Sequence, residues 1–176
     1  MTTLSRTESA SIGGVPVLEV EDLRVTYRRR GSTPIKAVDG VDLRIMPGTT
    51  LGLVGESGSG KSTLGRAVLG LAPIAGGAIR VNGRDVTAAS RSQRRVLSQE
   101  LQVIFQDPYG SLNPTKTIGA TLAEPMTIHR SGDKVAISAR VDEVLREVGM
   151  PADAAQRYPN AFSGGQRQRI AIARAL

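Results

Sequence analysis

Apolar and polar positions alternate along two short stretches near the front of the chain, with Leu18 and Val20 in the first and Leu23, Val25 and Tyr27 in the second. That two-residue period predicts strands. Asp39-Gly40, lying between the apolar stretches 35–38 and 41–45, is a hairpin dipeptide, so an antiparallel β layer is expected there. Pro47-Gly48 turns the chain again, and residues 50–54 form a short apolar run followed by glycines, the pattern of a buried strand. Leu64, Ala67, Val68 and Leu71 stand at helical spacing, which predicts a helix from about Lys61 until Pro73 stops it.

Further along, residues 78–81 read as a strand closed by a tight turn at Asn82-Gly83, and residues 90–99 as an exposed arginine-rich helix leading into an apolar strand over 101–105. Pro108, Pro114 and Pro125 then punctuate a looped region. Val141, Val144, Leu145 and Val148 make one apolar helix face. Ser163 stands where a helix N-cap belongs, ahead of the apolar residues 170–176. Residues 1–15 are small and polar and read as a flexible leader.

Composition narrows the chemistry. The 176 residues contain no Cys, which removes disulfides, thiolate metal sites and thiol catalysis, and one His, His129, which leaves no multi-histidine metal site. The net charge of +7 raises the question of nucleic acid. With three Tyr, two Phe and no Trp there is no aromatic platform among the arginines, so stacking on single strands is not supported. No signal peptide and no membrane-spanning run is seen in the sequence, so a cytosolic chain is expected.

Gly55-Glu56-Ser57-Gly58-Ser59-Gly60-Lys61-Ser62 fits G-x-x-x-x-G-K-[ST] and sits between an expected buried strand and an expected helix, the setting that a phosphate-binding loop requires. Glycines at 55, 58 and 60 permit backbone angles and close approach that a Cβ forbids, so that successive N–H groups converge on a phosphate. The helix beginning near Lys61 contributes its positive end. The Lys61 ammonium suits β and γ phosphates, and the Ser62 hydroxyl suits Mg²⁺. Glu56 is expected to point to solvent. Ser57, Ser59 and Thr63 complete the candidate nucleotide-binding set, with ATP and Mg²⁺ as the expected ligands.

Ser163-Gly164-Gly165-Gln166 makes a second helix start suited to an anion. FSGGQRQR over residues 162–169, taken with the loop at 55–62 and with Gln106 between them, resembles the ATP-binding subunits of ABC transporters. The resemblance runs from Leu18 to Leu176, with Phe162 in place of the usual Leu of LSGGQ. The stretches AVDGVDLRI, TLGLVGESGSGKSTLGRAVLGL, VIFQDPYGSLNP and RYPNAFSGGQRQRIAIARAL are similar to the oligopeptide and dipeptide importer branch, whose close relatives carry nickel.

The resemblance implies an α/β fold, a P-loop nucleotide-binding domain of ABC type with an antiparallel β layer and a helical subdomain. Residues 16–106 are expected to hold the β layer and nucleotide-binding core, 107–162 the helical subdomain, and 163–176 the signature motif and the start of its helix. By the same resemblance Tyr27 would stack on adenine, although the pattern alone reads it as a half-buried strand residue. Gln106 would reach Mg²⁺ and the attacking water, making it catalytic beside Lys61. Ser163, Gly164, Gly165 and Gln166 would face the ATP of a second subunit in a head-to-tail pair. Membrane permease subunits, and indirectly a solute-binding protein, are the implied partners, with the chain peripheral on the cytoplasmic face of the membrane and no nucleic acid bound.

The family's Walker B aspartate, catalytic glutamate and switch histidine follow the signature helix, and none is found before Leu176. Asp107 precedes the signature and follows Gln106 directly, so it does not match, and His129 lies in the helical insert and is expected at the surface. A fragment of a longer protein is the expectation. Three activities are compatible with the sequence: an ATPase subunit powering peptide import, a nucleotide-binding module without hydrolysis, and a soluble ABC ATPase acting on nucleic acid or ribosomes.

Overall fold

The change of parity between Val20 and Leu23 decides how the front of the chain folds. Side chains of a strand alternate between faces, so these two residues share a face only if one extra residue is inserted between them. In the computed structural model, which describes residues 14–28, 31, 33–107 and 109–176, Asp22 is that residue. Its φ of 42° accompanies a register shift, which marks a β-bulge. The two expected stretches thus join into one strand, β1 (Leu18–Tyr27), in which Val20, Leu23 and Val25 are all buried. The expected leader up to residue 13, and Arg29 and Arg30, lie outside the described residues.

The same event in the next strand overturns the hairpin expected at Asp39-Gly40. Gly40, at φ 73°, absorbs the extra residue, and β2 (Ile35–Ile45) continues without reversing. Val25 opposes Val38 and Arg24 opposes Asp39, whereas Leu23 opposes Val41, so Gly40 is left over. An Asp-Gly pair supplies left-handed backbone equally well to a hairpin turn and to a bulge, and the partner strand decides between them. Here β1 lies beside both halves of β2, and the Asp22 N–H donates to Asp42 Oδ1 at 2.7 Å.

On its other side β1 pairs with β3 (Ile74–Val81), which begins at Ile74 instead of the expected Ala78. Asn82 and Gly83, both at positive φ, turn the chain into β4 (Arg84–Asp85) as expected. The sheet order is β2-β1-β3-β4, antiparallel throughout. Glu19 lies between Arg44 (2.7 Å) and Arg80 (3.1 Å) in a cross-strand ladder. Such partly exposed pairs contribute only about 0.2–1 kcal/mol each, so burial of the apolar face must carry the sheet.

That face is covered by α1 (Lys61–Val68), whose Leu64, Ala67 and Val68 are buried and which packs on β1 and β2. The helix stops short of Pro73 because Gly70, at φ 71°, turns the chain and lets Gly70 N–H and Leu71 N–H bond back to Ala67 O and Arg66 O. The arginine-rich helix is present as α2 (Arg91–Leu97). These elements belong to the first of two units, residues 1–97; the second comprises residues 98–176.

Two strand expectations fail. Residues 50–54 and 101–105 take no regular structure, and Leu51, Leu53, Val54, Val103, Ile104 and Phe105 are exposed. An apolar run becomes a strand only where a neighbour satisfies its N–H and C=O groups, and among the described residues neither run has a ladder partner.

The second unit holds α3 (Ile118–His129), α4 (Lys134–Glu147) and α5 (Gly164–Ala173), capped by the side chains of Thr117, Asp133 and Ser163. Pro125, expected in a loop, lies inside α3. Its ring costs one helical hydrogen bond, and the helix persists because Ile118 and Leu122 are anchored in a core with Val144, Leu145, Phe162 and Ile170. Phe162 therefore packs inward, as its apolar character predicts.

Gly77 lies opposite the Asp22 bulge at φ 86°, and a Cβ there would collide with the carbonyl oxygens of Glu21 and Asp22. Gly77→Ala is expected to cost at least about 2 kcal/mol of stability, read as a lowered urea midpoint.

Candidate functional site

Between residue 54 and α1 the chain closes into a small loop around its own lysine. Ser59 N–H bonds Glu56 O at 3.2 Å, and Gly58 and Gly60 sit at φ 83° and 94°, conformations that favour glycine. Gly60 is also the N-cap of α1, and no side chain among the described residues caps that end, so the first helical amides are available to an external acceptor. A Cβ on Gly60 would collide with Ala37 O of β2, so the loop rests directly on strand backbone.

Lys61 turns back into this loop. Its Nζ donates to Gly55 O at 2.7 Å, to Glu56 O at 2.6 Å and to Ser59 Oγ at 3.3 Å, which uses all three donors of the ammonium. Beside the loop lies a cavity of about 560 Å³ lined among others by Ala37, Val38, Val54, Gly58, Gly60 and Lys61. An apolar wall ending in uncapped amides and a lysine suits a nucleoside phosphate.

The remaining loop candidates surround this centre. Glu56 is exposed as expected, as are Ser57 and Ser62, while Thr63 is half-buried. Tyr27 ends β1 opposite Ile35, is 38% exposed, and is not part of the cavity wall.

Gln106 and the residues 163–166 belong to the second unit. Gln106 is exposed at a bend, and Asp107 next to it accepts the Tyr109 N–H at 2.9 Å, a local turn contact that gives this carboxylate a structural role. At the start of α5 the Ser163 Oγ accepts the Gln166 N–H at 3.3 Å and the Gln166 Oε1 accepts the Ser163 N–H at 2.9 Å. This capping box engages Gln166 in holding the turn, a role that the S-x-x-Q spacing signals. Among the described residues nothing stands within 4 Å of a Cβ placed on Gly165, so that side of the turn is open to them. His129 is half-buried and pairs with Ser98 Oγ at 3.1 Å.

Sequence reasoning missed Tyr109 and Arg167, which meet in a stack with the guanidinium carbon 4.5 Å from the ring centroid. No local pattern joins residues so distant in the chain. Among the described residues, no group of three His, Cys, Asp or Glu is placed to hold a metal ion.

Residues 38–176 match the ABC transporter family, and the chain belongs to it. Over 164 residues it is 46% identical to YkfD of Bacillus subtilis, an ATP-binding protein named for oligopeptide transport, covering 92% of this chain and 50% of that protein. It is 45% identical over 171 residues to the glutathione import ATP-binding protein GsiA of Escherichia coli, covering 94% of this chain and 27% of that protein. The chain thus spans half the length, or less, of these relatives. The fold is that of the ATP-binding cassette MJ0796 solved as a dimer with ADP and phosphate, at a TM-score of 0.80 and 27% identity over 90% of this chain and 68% of that one. No helix among the described residues is long and apolar enough to cross a membrane.

Ser163→Ala removes one half of the capping box. It is expected to cost about 1 kcal/mol, measured as faster amide exchange at Gln166 and a lower unfolding midpoint of the second unit.

Proposed function

We propose that this chain is the nucleotide-binding part of a subunit that binds and hydrolyses ATP to drive the import of peptides across the cytoplasmic membrane. The observation that carries the proposal is the Lys61 loop, with three ammonium donors converging on one turn at an uncapped helix start. Its relatives are named for oligopeptide transport and glutathione import, which supports a peptide cargo.

In this reading the α1 amides and Lys61 bind the triphosphate, with Lys61 exchanging loop carbonyls for phosphate oxygens of greater negative charge. The Ser62 hydroxyl is a hard donor of the kind that magnesium selects and would hold the ion that neutralises phosphate charge, and the Gln106 side-chain oxygen of the second unit is a donor of the same kind. Gln106 orients the attacking water. Gly164 and Gly165, at the start of α5 and held there by the Ser163–Gln166 box, present amides to the nucleotide of a second ATPase subunit paired head to tail. The subunit works against membrane permease subunits on the cytoplasmic face, supplied indirectly by a solute-binding protein. Residues 16–106 serve as β layer and nucleotide core, 107–162 as helical subdomain and 163–176 as signature segment, with Tyr27 stacking on adenine.

Calorimetric titration with Mg·ATP tests the nucleotide assignment. Lys61→Ala is expected to lose on the order of 2–5 kcal/mol of binding free energy. Equal affinity in the two proteins would refute the assignment. Chelating magnesium should weaken binding to the unaltered chain, and Ser62→Ala should shrink the difference between titrations with and without the metal. An undiminished metal dependence in Ser62→Ala would remove that residue from the ligand set.

A further inference from the structure

Gly164 differs from Gly165 in having a neighbour. The Tyr109 ring lies against it, so that a Cβ on Gly164 would stand 3.5 Å from the tyrosine hydroxyl and 3.8 Å from Cε2. The Arg167 guanidinium covers the same ring at 4.5 Å, and Arg167 Nε donates to Phe162 O at 3.0 Å. Farther along, Arg174 Nη1 reaches Ser111 O at 3.3 Å. Residues 109–111, which follow Gln106 closely, are therefore fastened to α5 at its first turn and again at its C-cap.

Hydrophobic burial does not account for the first of these fastenings. Tyr109 is 62% exposed, so its ring removes little apolar surface from water. It offers instead a π face to a cation and a flat wall beside a glycine. Its backbone is held in turn by Asp107, the residue next to Gln106.

We infer that Tyr109 is a positioning residue, which through Gly164 and Arg167 sets the start of α5 and links the segment after Gln106 to the face formed by Ser163, Gly164 and Gly165. The functional half of this inference rests on the role proposed above for that face. The geometric half does not.

Amide exchange at Gln166 in the 176-residue chain tests the geometric half without nucleotide. Tyr109→Ala should speed it about two- to five-fold, the range expected for loss of an exposed cation–π contact. Tyr109→Phe, which keeps the ring, should restore it, and in an Arg167→Met background Tyr109→Ala should add less than it does alone. An unchanged rate in Tyr109→Ala, failure of phenylalanine to rescue, or a full additive effect in Arg167→Met would each overturn the inference.

In the natural polypeptide carrying this sequence, Tyr109→Ala should also raise the ATP concentration needed for subunit pairing by about two- to five-fold while the affinity of the lone subunit for Mg·ATP stays the same. Tyr109→Phe should pair as the unaltered protein does. Unaltered pairing in Tyr109→Ala counts against the functional half. If the unaltered protein does not pair with ATP at all, the proposed function of residues 163–166 fails, and the exchange rates still decide whether Tyr109 positions α5.

Discussion

A lysine ammonium bound to the carbonyls of its own loop is the interaction on which the first unit's site depends. The loop contains three glycines and three serines, counting Ser62, and such a sequence loses much conformational entropy when it is fixed in one shape. Lys61 offsets this by joining Gly55 and Glu56 at one end of the loop to the helix start at the other, through charge-assisted bonds. The same group that would meet a phosphate thus preorganises the loop beforehand, so less ordering remains to oppose binding.

The loop also needs something to lie on, and that support is set by the bulges. Gly60 contacts Ala37 O, and Ala37 lies in the first half of β2. Had Asp39-Gly40 reversed the chain, that half would not extend along β1 in line with the second. Because Gly40 is a bulge facing the Asp22 irregularity, with Asp22 N–H held by Asp42, β2 keeps its apolar residues on the α1 side through a change of parity. A strand irregularity therefore contributes to the shape of the Lys61 loop, which is distant from it in sequence.

In the second unit, arginines of the α5 segment take the organising part. Arg167, Arg169 and Arg174 each donate to backbone carbonyls of another segment: Phe162, the α4 end at Val148 and Gly149, and Ser111. Arg169 in particular satisfies orphan carbonyls at a helix C-terminus, where a cation is favoured. The high arginine content, which composition alone leaves open to nucleic acid, is partly consumed in tying this helix down.

The chain by itself disclosed what is encoded in neighbouring residues. The G-x-x-x-x-G-K-S spacing located the glycine-rich loop that opens α1, Ser163 and its glycines located the start of α5, and apolar spacing located α1 and α4, because glycine angles, caps and helical periods are short-range properties. Tertiary structure alone decided whether Asp39-Gly40 turned or bulged, since that choice belongs to the strand alongside. It also decided that the apolar runs at 50–54 and 101–105 stay irregular for want of a paired neighbour, and that Tyr109 meets Arg167. Pairing partners and side-chain stacks join residues far apart along the chain, and no local pattern can specify a contact whose other half lies elsewhere.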